Sequence, residues 1–268
     1  MKSLITIPLG FYVALTLFAV ESSVIAGAPT QQFLISYDAK LTVDPRRASN
    51  TGLSQGMINT LTSVVGNSVS IGDVNDTVSF SKDTYHIHSV GTLSSMVAVF
   101  MTKGTFIRTS EGQIFGNKLN TLRYVDIRDN NPPLTTLVDQ KNKRVVFYNG
   151  NTTVSSISSQ NKIQDVLSVG YSFIGHLPDQ TVSVSMSDGK SIKEAVFDLR
   201  KEMLQLSTGQ LETIKLTRRL ATRDEASVEY WLRPSDGLPL RVRIGMSQRY
   251  GAVLDLMTKK IPAKVQPF

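Results

Sequence analysis

The stretch FLISYDAKLTV, Phe33 to Val43, carries an apolar side chain at every second position: Phe33, Ile35, Tyr37, Ala39, Leu41 and Val43. Ser36, Asp38, Lys40 and Thr42 stand between them. Successive side chains of a strand point to opposite sides, so the pattern predicts a strand with one dry and one wet face. A helix would scatter the same residues around its axis.

The same period recurs along the chain. It appears at Thr77–Ser81, Tyr85–Val90, Thr105–Thr109, Arg144–Tyr148, Thr181–Met186, Leu211–Leu220, Val228–Leu232 and Leu240–Ile244. MVAVFM, Met96 to Met101, is apolar on both faces and reads as a strand covered on both sides. Asp-Gly turns at Ser187–Lys190 and Ser235–Leu238 favour tight hairpins, and Thr208-Gly209 and Tyr250-Gly251 are weaker turn signals. Only two segments read as helical. Ile163, Val166, Leu167, Gly170, Tyr171 and Ile174 follow the i, i+3, i+4 rule up to Gly175, and Met57, Ile58, Leu61, Val64 and Val65 do so up to Gly66. Short strands with regular turns predict an all-β fold, mainly an antiparallel meander. We expect a closed or partly open β-barrel of roughly ten strands, with one helix packed at or in it.

The N-terminus supplies a leader. One Lys at position 2 precedes an apolar run from Leu4 to Val20, and the small residues that follow permit cleavage after Ala26 or Ala28. The expectation is a signal peptide over 1–26 and an exported chain; the alternative is an uncleaved helix anchored in the inner membrane. Residues 30–264 then form a single domain. The chain has no cysteine, so disulfides cannot support it and lipid attachment at a cleavage-site cysteine is excluded. Net charge is +7, and from Lys190 to Phe268 there are 15 Lys and Arg against 9 Asp and Glu. For an exported protein this basic half points to anionic lipid or glycan of the envelope, and away from nucleic acid.

Few residue sets carry chemistry. His86 and His88 share one face of a strand, as zinc ligands do. A turn at Lys82-Asp83 would pair Phe80 with Tyr85 and Val78 with Ile87 on one face, and Ser79 with His86 and Thr77 with His88 on the other. The histidines then sit among hydroxyls, and the reading is solvated strand histidines. A metal site with Asp73 or Asp76 as third ligand is the alternative. His176 follows the expected helix, where its dipole favours a cation. There is no G-x-S-x-G, and S-x-x-K occurs three times without its usual partners, so no catalytic set is expected. Asp165 and Ser168 fall in the first turns of the main helix, where a carboxylate takes up free backbone N–H groups; a ligand contact by Asp165 is the alternative.

The C-terminal hairpin pairs Leu232 with Leu240, Tyr230 with Val242 and Val228 with Ile244 on an apolar face. Glu229 meets Arg243, and Trp231 meets Arg241, on the other. Trp231 with Arg233, Arg241 and Arg243 beside the basic strand Lys215–Arg219 could receive anionic headgroups or a partner. The preferred reading is a solvated outer face with Trp231 covered by a loop.

The motifs DTYHIHSVGTL, TSEGQ, LNTLRYVDIRD, NKIQDVLS and EYWLRPSDGLPLRVRI…RYGAVLD, in that order, resemble the bacterial exported family catalogued as domain of unknown function 3108, over about residues 69–258. The resemblance implies a periplasmic, β-barrel-like protein with no established activity. The segment Asp44 to Asn67 departs from that pattern. Taken together, the expectation is a non-enzymatic periplasmic protein that uses no cofactor and binds a lipid-like or apolar molecule, or serves envelope assembly. The alternatives are a solid barrel docking a partner through its Arg/Trp face, and a metal-dependent hydrolase at His86 and His88.

Overall fold

The structure is a computed structural model and describes residues 30–43, 68–93, 105–159, 161–222, 225–246 and 252–268. Several expectations lie outside the described residues: the leader with its cleavage site, the helix over 53–66, the strand over 96–101, and the turn at Tyr250-Gly251. The described chain builds one sheet. Its first strands are β1 (Gln31–Val43), β2 (Ser68–Phe80), β3 (Thr84–Leu93), β4 (Thr105–Phe115), β5 (Lys118–Arg128), β6 (Leu134–Asp139), β7 (Arg144–Asn149) and β8 (Thr152–Ser158). After β9 (Ile163–Asp165) and one helical turn, α1 (Ser168–Tyr171), come β10 (Val182–Ser187), β11 (Ile192–Leu206), β12 (Gly209–Arg218), β13 (Val228–Leu232), β14 (Pro239–Met246) and β15 (Ala252–Thr258).

The sheet has 15 strands in the order β8-β7-β6-β5-β4-β3-β2-β1-β15-β14-β13-β12-β11-β10-β9. Every neighbour is consecutive in sequence except β1 and β15, whose antiparallel ladder joins Tyr37 to Thr258 and Thr42 to Val253. The meander expected from the turns is therefore real, and longer than ten strands. It has one parallel pair, β9 with β10. No ladder among the described residues joins the two ends, β8 and β9, so hydrogen bonding does not close the sheet into a barrel. The sheet curls far enough for β9 to meet β5: Ile163 N donates to Asn120 Oδ1 at 3.0 Å, and Gln164 Nε2 donates to Leu119 O at 3.0 Å.

Period-two patterning produces the core. In β1, Ile35, Tyr37 and Ala39 are buried while Leu34, Asp38 and Lys40 are exposed. The pairs Phe80–Tyr85, Val78–Ile87, Ser79–His86 and Thr77–His88 form as expected. So do Val228–Ile244, Glu229–Arg243, Tyr230–Val242 and Trp231–Arg241; the expected Leu232–Leu240 pair does not, because a register shift sets Leu232 against Pro239. The dry face is filled with side chains, among them Tyr37, Val78, Phe80, Ile87 and Tyr171. The last residues join it: Val265 is buried, and the Phe268 ring lies 4.6 Å from that of Phe80. Each such aromatic contributes roughly 1.5–3 kcal/mol when taken from water.

The helix expected across Ile163 to Ile174 is corrected. Ile163–Asp165 is a strand and only Ser168–Tyr171 turns helically. All three strand residues and all four helical ones are buried. The apolar spacing thus recorded burial from several sides. The backbone N–H of Ile163 finds a side-chain partner on β5 instead of a helical carbonyl. Gly237, in the turn between β13 and β14, has φ +76°, and a Cβ there would stand 1.9 Å from Phe173 O. This close approach presses the turn against the end of the helical segment.

Candidate functional site

Asp165 is the centre of a buried polar cluster. Ser110 Oγ and Thr121 Oγ1 donate to its Oδ2 at 2.5 and 2.7 Å, and the N–H groups of Leu167 and Ser168 donate to Oδ1 at 2.9 and 3.0 Å. The Tyr85 hydroxyl lies 3.0 Å from both Ser110 Oγ and Thr121 Oγ1. Asp165 does take up free N–H groups, as its sequence position suggested. It does so ahead of a four-residue turn, so hydrogen bonds from β4 and β5 replace much of the expected helix dipole. Burial drives its pKa above the usual carboxylate value, and the four donors offset this only in part. With 0% exposure, Asp165 ties β4, β5 and β9 together and presents no surface to a ligand.

A second buried carboxylate went unnoticed as a core group. Tyr171 Oη donates to Asp76 Oδ2 at 2.5 Å and lies 3.3 Å from the Tyr37 hydroxyl, which donates to Pro239 O at 2.9 Å. Among the described residues Asp76 Oδ1 has no hydrogen-bond partner. Burial raises the Asp76 pKa; hydrogen bonds from Ser89 and Tyr171 and the charge of Arg108 work against it. A signal was present: Val74, Asp76, Val78 and Phe80 share one parity, so the carboxylate occupies a core position.

Trp231 is covered, as the preferred reading had it, but by strand neighbours and not by a loop. Trp231 is 1% exposed and donates Nε1–H to Glu202 Oε1 at 2.9 Å. Its strand neighbours cover the ring, with Lys215 Nζ at 4.3 Å and the Arg241 guanidinium carbon at 4.7 Å from the centroid. The cover is therefore a cation–π sandwich across β12, β13 and β14, where a loop was expected. Its cations are matched internally. Lys215 reaches Glu229 at 2.6 Å, Arg241 pairs with Asp255 at 2.5 Å, and Arg243 lies 3.3 Å from Glu229. Arg233 pairs with Asp236 at 2.5 Å and donates to Pro262 O and Ala263 O, fastening the C-terminal segment.

The rings of His86 and His88 lie parallel, 6.4 Å apart. His88 Nδ1 is 3.3 Å from Thr109 Oγ1, a hydroxyl neighbour of the expected kind. Asp73 is held by Lys259 at 2.7 Å, and Asp76 is buried on the opposite face. No group of three potential metal ligands occurs among the described residues. Burial lowers the His86 pKa, countered by the charge of Glu111.

The described surface also holds a half-open groove of about 520 Å³ where the curled sheet fails to close. One wall is β10 and the segment before it, Gln180 to Ser185; the other comprises the start of β5, at Lys118 and Leu119, together with Asn161, Lys162 and Gln164. Phe173 and His176 line the groove between them, so His176 belongs to this cleft and caps no helix of useful length. Lys162 Nζ lies over the Phe115 ring at 4.0 Å, next to the opening. Its volume lies within the range of small-ligand sites, roughly 300–1,000 Å³. Sequence reasoning could not find it, because no single strand forms it.

One curled, open sheet with a filled core and a cleft along its seam defines the class: an all-β protein built on a long meander. The model for a protein family of unknown function, DUF3108, matches residues 60–257, and the chain belongs to that family. No curated protein matches it.

Proposed function

We propose that this chain is an exported, non-enzymatic binding protein of the bacterial periplasm, and that the seam groove is its ligand seat. The observation carrying the proposal is that the sheet's interior is filled while a cleft of about 520 Å³ stays open beside it. The groove combines Phe173, Leu119, Val182 and Val184 with the cations of Lys118 and Lys162 and the carboxylates of Asp179 and Glu194. Such walls suit an extended, largely apolar molecule bearing polar groups. The leader of residues 1–26 motivates the compartment.

Two measurements test this. Protein recovered from the periplasmic fraction should begin after Ala26 or Ala28; recovery only with membranes at full length would replace export by anchoring. The folded chain should bind a fluorescent dodecanoyl probe or co-purify with an apolar molecule, and Val182→Arg in the groove wall should weaken binding about tenfold. Binding unaffected by Val182→Arg removes the groove as the seat.

A further inference from the structure

The two strands at the groove are unequal in length. β9 covers only the second half of β10, pairing Ile163 with Ser185, Gln164 with Met186 and Asp165 with Ser187. Toward the groove, Val182 to Val184 pair with β11 on one side and with no described strand on the other. The direction of their backbone groups follows from one bond. Val166 N donates to Ser187 O, so Ser187 turns its carbonyl toward the β9 side. Backbone groups alternate along a strand, so Ser185 and Ser183 turn theirs the same way, with Thr181 next in step. Six consecutive residues, Gln180 to Ser185, line the cleft. A face would contribute alternate residues; an unbroken run marks a strand edge.

We infer that the groove takes an extended polypeptide segment, which adds as a strand beside Thr181 and Ser183 in line with β9. The inference rests on the groove being the ligand seat and names the chemical class of its ligand. An acyl chain in the cleft would displace water from the N–H and C=O of Ser183 and offer nothing in return. Each polar group left unpaired costs about 1–3 kcal/mol. A peptide backbone presents donors and acceptors at the matching two-residue period. Gln164 adds a second demand: it lines the groove at 7% exposure, and its Oε1 has no hydrogen-bond partner among the described residues. The charges fit too. Lys118 and Lys162 stand on one wall and Asp179 and Glu194 on the β10 side, a two-signed lining that suits a polypeptide better than a uniformly anionic lipid surface.

The test uses the folded chain and an array of decapeptides with alternating apolar residues, each printed also with alternate backbone nitrogens methylated. The strongest peptide is then titrated in solution, with the dodecanoyl probe alongside. Unmethylated peptides should bind, and methylation should weaken them at least about tenfold. Ser183→Pro removes the groove-facing N–H without touching the β11 ladder. It should weaken the peptide by a similar factor while Ser183→Ala stays within about twofold. If Ser183→Pro does not fold, the methylated peptides on the unaltered chain decide. Equal binding of methylated and unmethylated peptides, or no peptide binding while the dodecanoyl probe binds in a Val182→Arg-sensitive manner, overturns the inference and leaves the groove as a lipid seat. Binding of neither probe removes the seat as well.

Discussion

The Tyr171 hydroxyl stands 2.5 Å from the Asp76 carboxylate, bringing the only helical turn of the described residues onto β2 inside the core. The contact sets an acid in a place where its charge is costly. It gives this fold a pH response opposite to that of surface carboxylates.

Asp76 and Asp165 both have folded pKa values raised above the ordinary carboxylate value. A raised folded value means that the native state holds the proton more tightly than the unfolded chain. Their stabilising contribution is complete below about pH 3.8 and is lost as pH rises through the raised values. Asp236 acts the other way, since Arg233 and the N–H groups of Val265 and Leu238 outweigh burial and keep its pKa low. Asp76→Asn should therefore gain stability relative to the parent as pH rises from 4 toward 8 in urea unfolding. A difference that stays constant across that range would show that Asp76 titrates normally.

Truncating Asp165 to Ala strands two hydroxyls and two backbone N–H groups in the dry interior. At about 1–3 kcal/mol for each unsatisfied group, and with partial relaxation, the expected loss is about 3–5 kcal/mol. Asp165→Asn keeps two acceptor sites on one oxygen and should lose less. A drop below about 1 kcal/mol for the Ala variant, by denaturant titration, would contradict the role given to this cluster.

Trp231 is the chain's single tryptophan, so its fluorescence reports one site. Lying between Lys215 and Arg241, it should resist acrylamide quenching in the folded state and become accessible on unfolding. Replacement by Ala should cost about 3–5 kcal/mol. Ready quenching at neutral pH would restore the alternative reading, an exposed Trp231 face open to anionic headgroups or a partner.

For His86 and His88 the expected metal content of protein purified without a histidine tag is near zero. Their double replacement by Ala should shift stability by no more than about 0.5–1 kcal/mol. Stoichiometric zinc that is lost in the double variant would make them ligands. Because the folded pKa of His86 is lowered, its small contribution is present above about pH 6.5 and fades as pH falls.

The sequence was most legible where both faces of a hairpin carried matching pairs. The registers at Phe80–Tyr85 and Val228–Ile244 followed from apolar partners on one side and charged or hydroxyl partners on the other. β5 was missed because its burial runs in blocks of three: it meets the core on one side and β9 on the other, which erases alternation. β8 was missed for the opposite reason, since nearly every residue in it is exposed. The apolar spacing at Ile163–Ile174 imitated a helix because all its apolar residues are enclosed or nearly so. The groove lies between segments that no local pattern connects.

The β1–β15 ladder gives the molecule a simple mechanical logic. The sixteen described elements reduce to two arms, each built from sequence-neighbouring strands that pair antiparallel apart from the short β9–β10 pair, and one backbone ladder, between residues about two hundred positions apart, makes the two arms a single sheet. Local hairpins close quickly, whereas such a distant pairing carries the largest loop-closure entropy. Each arm can therefore zip early, and the seam between Tyr37 and Thr258 is the stitch that must wait for its far partner.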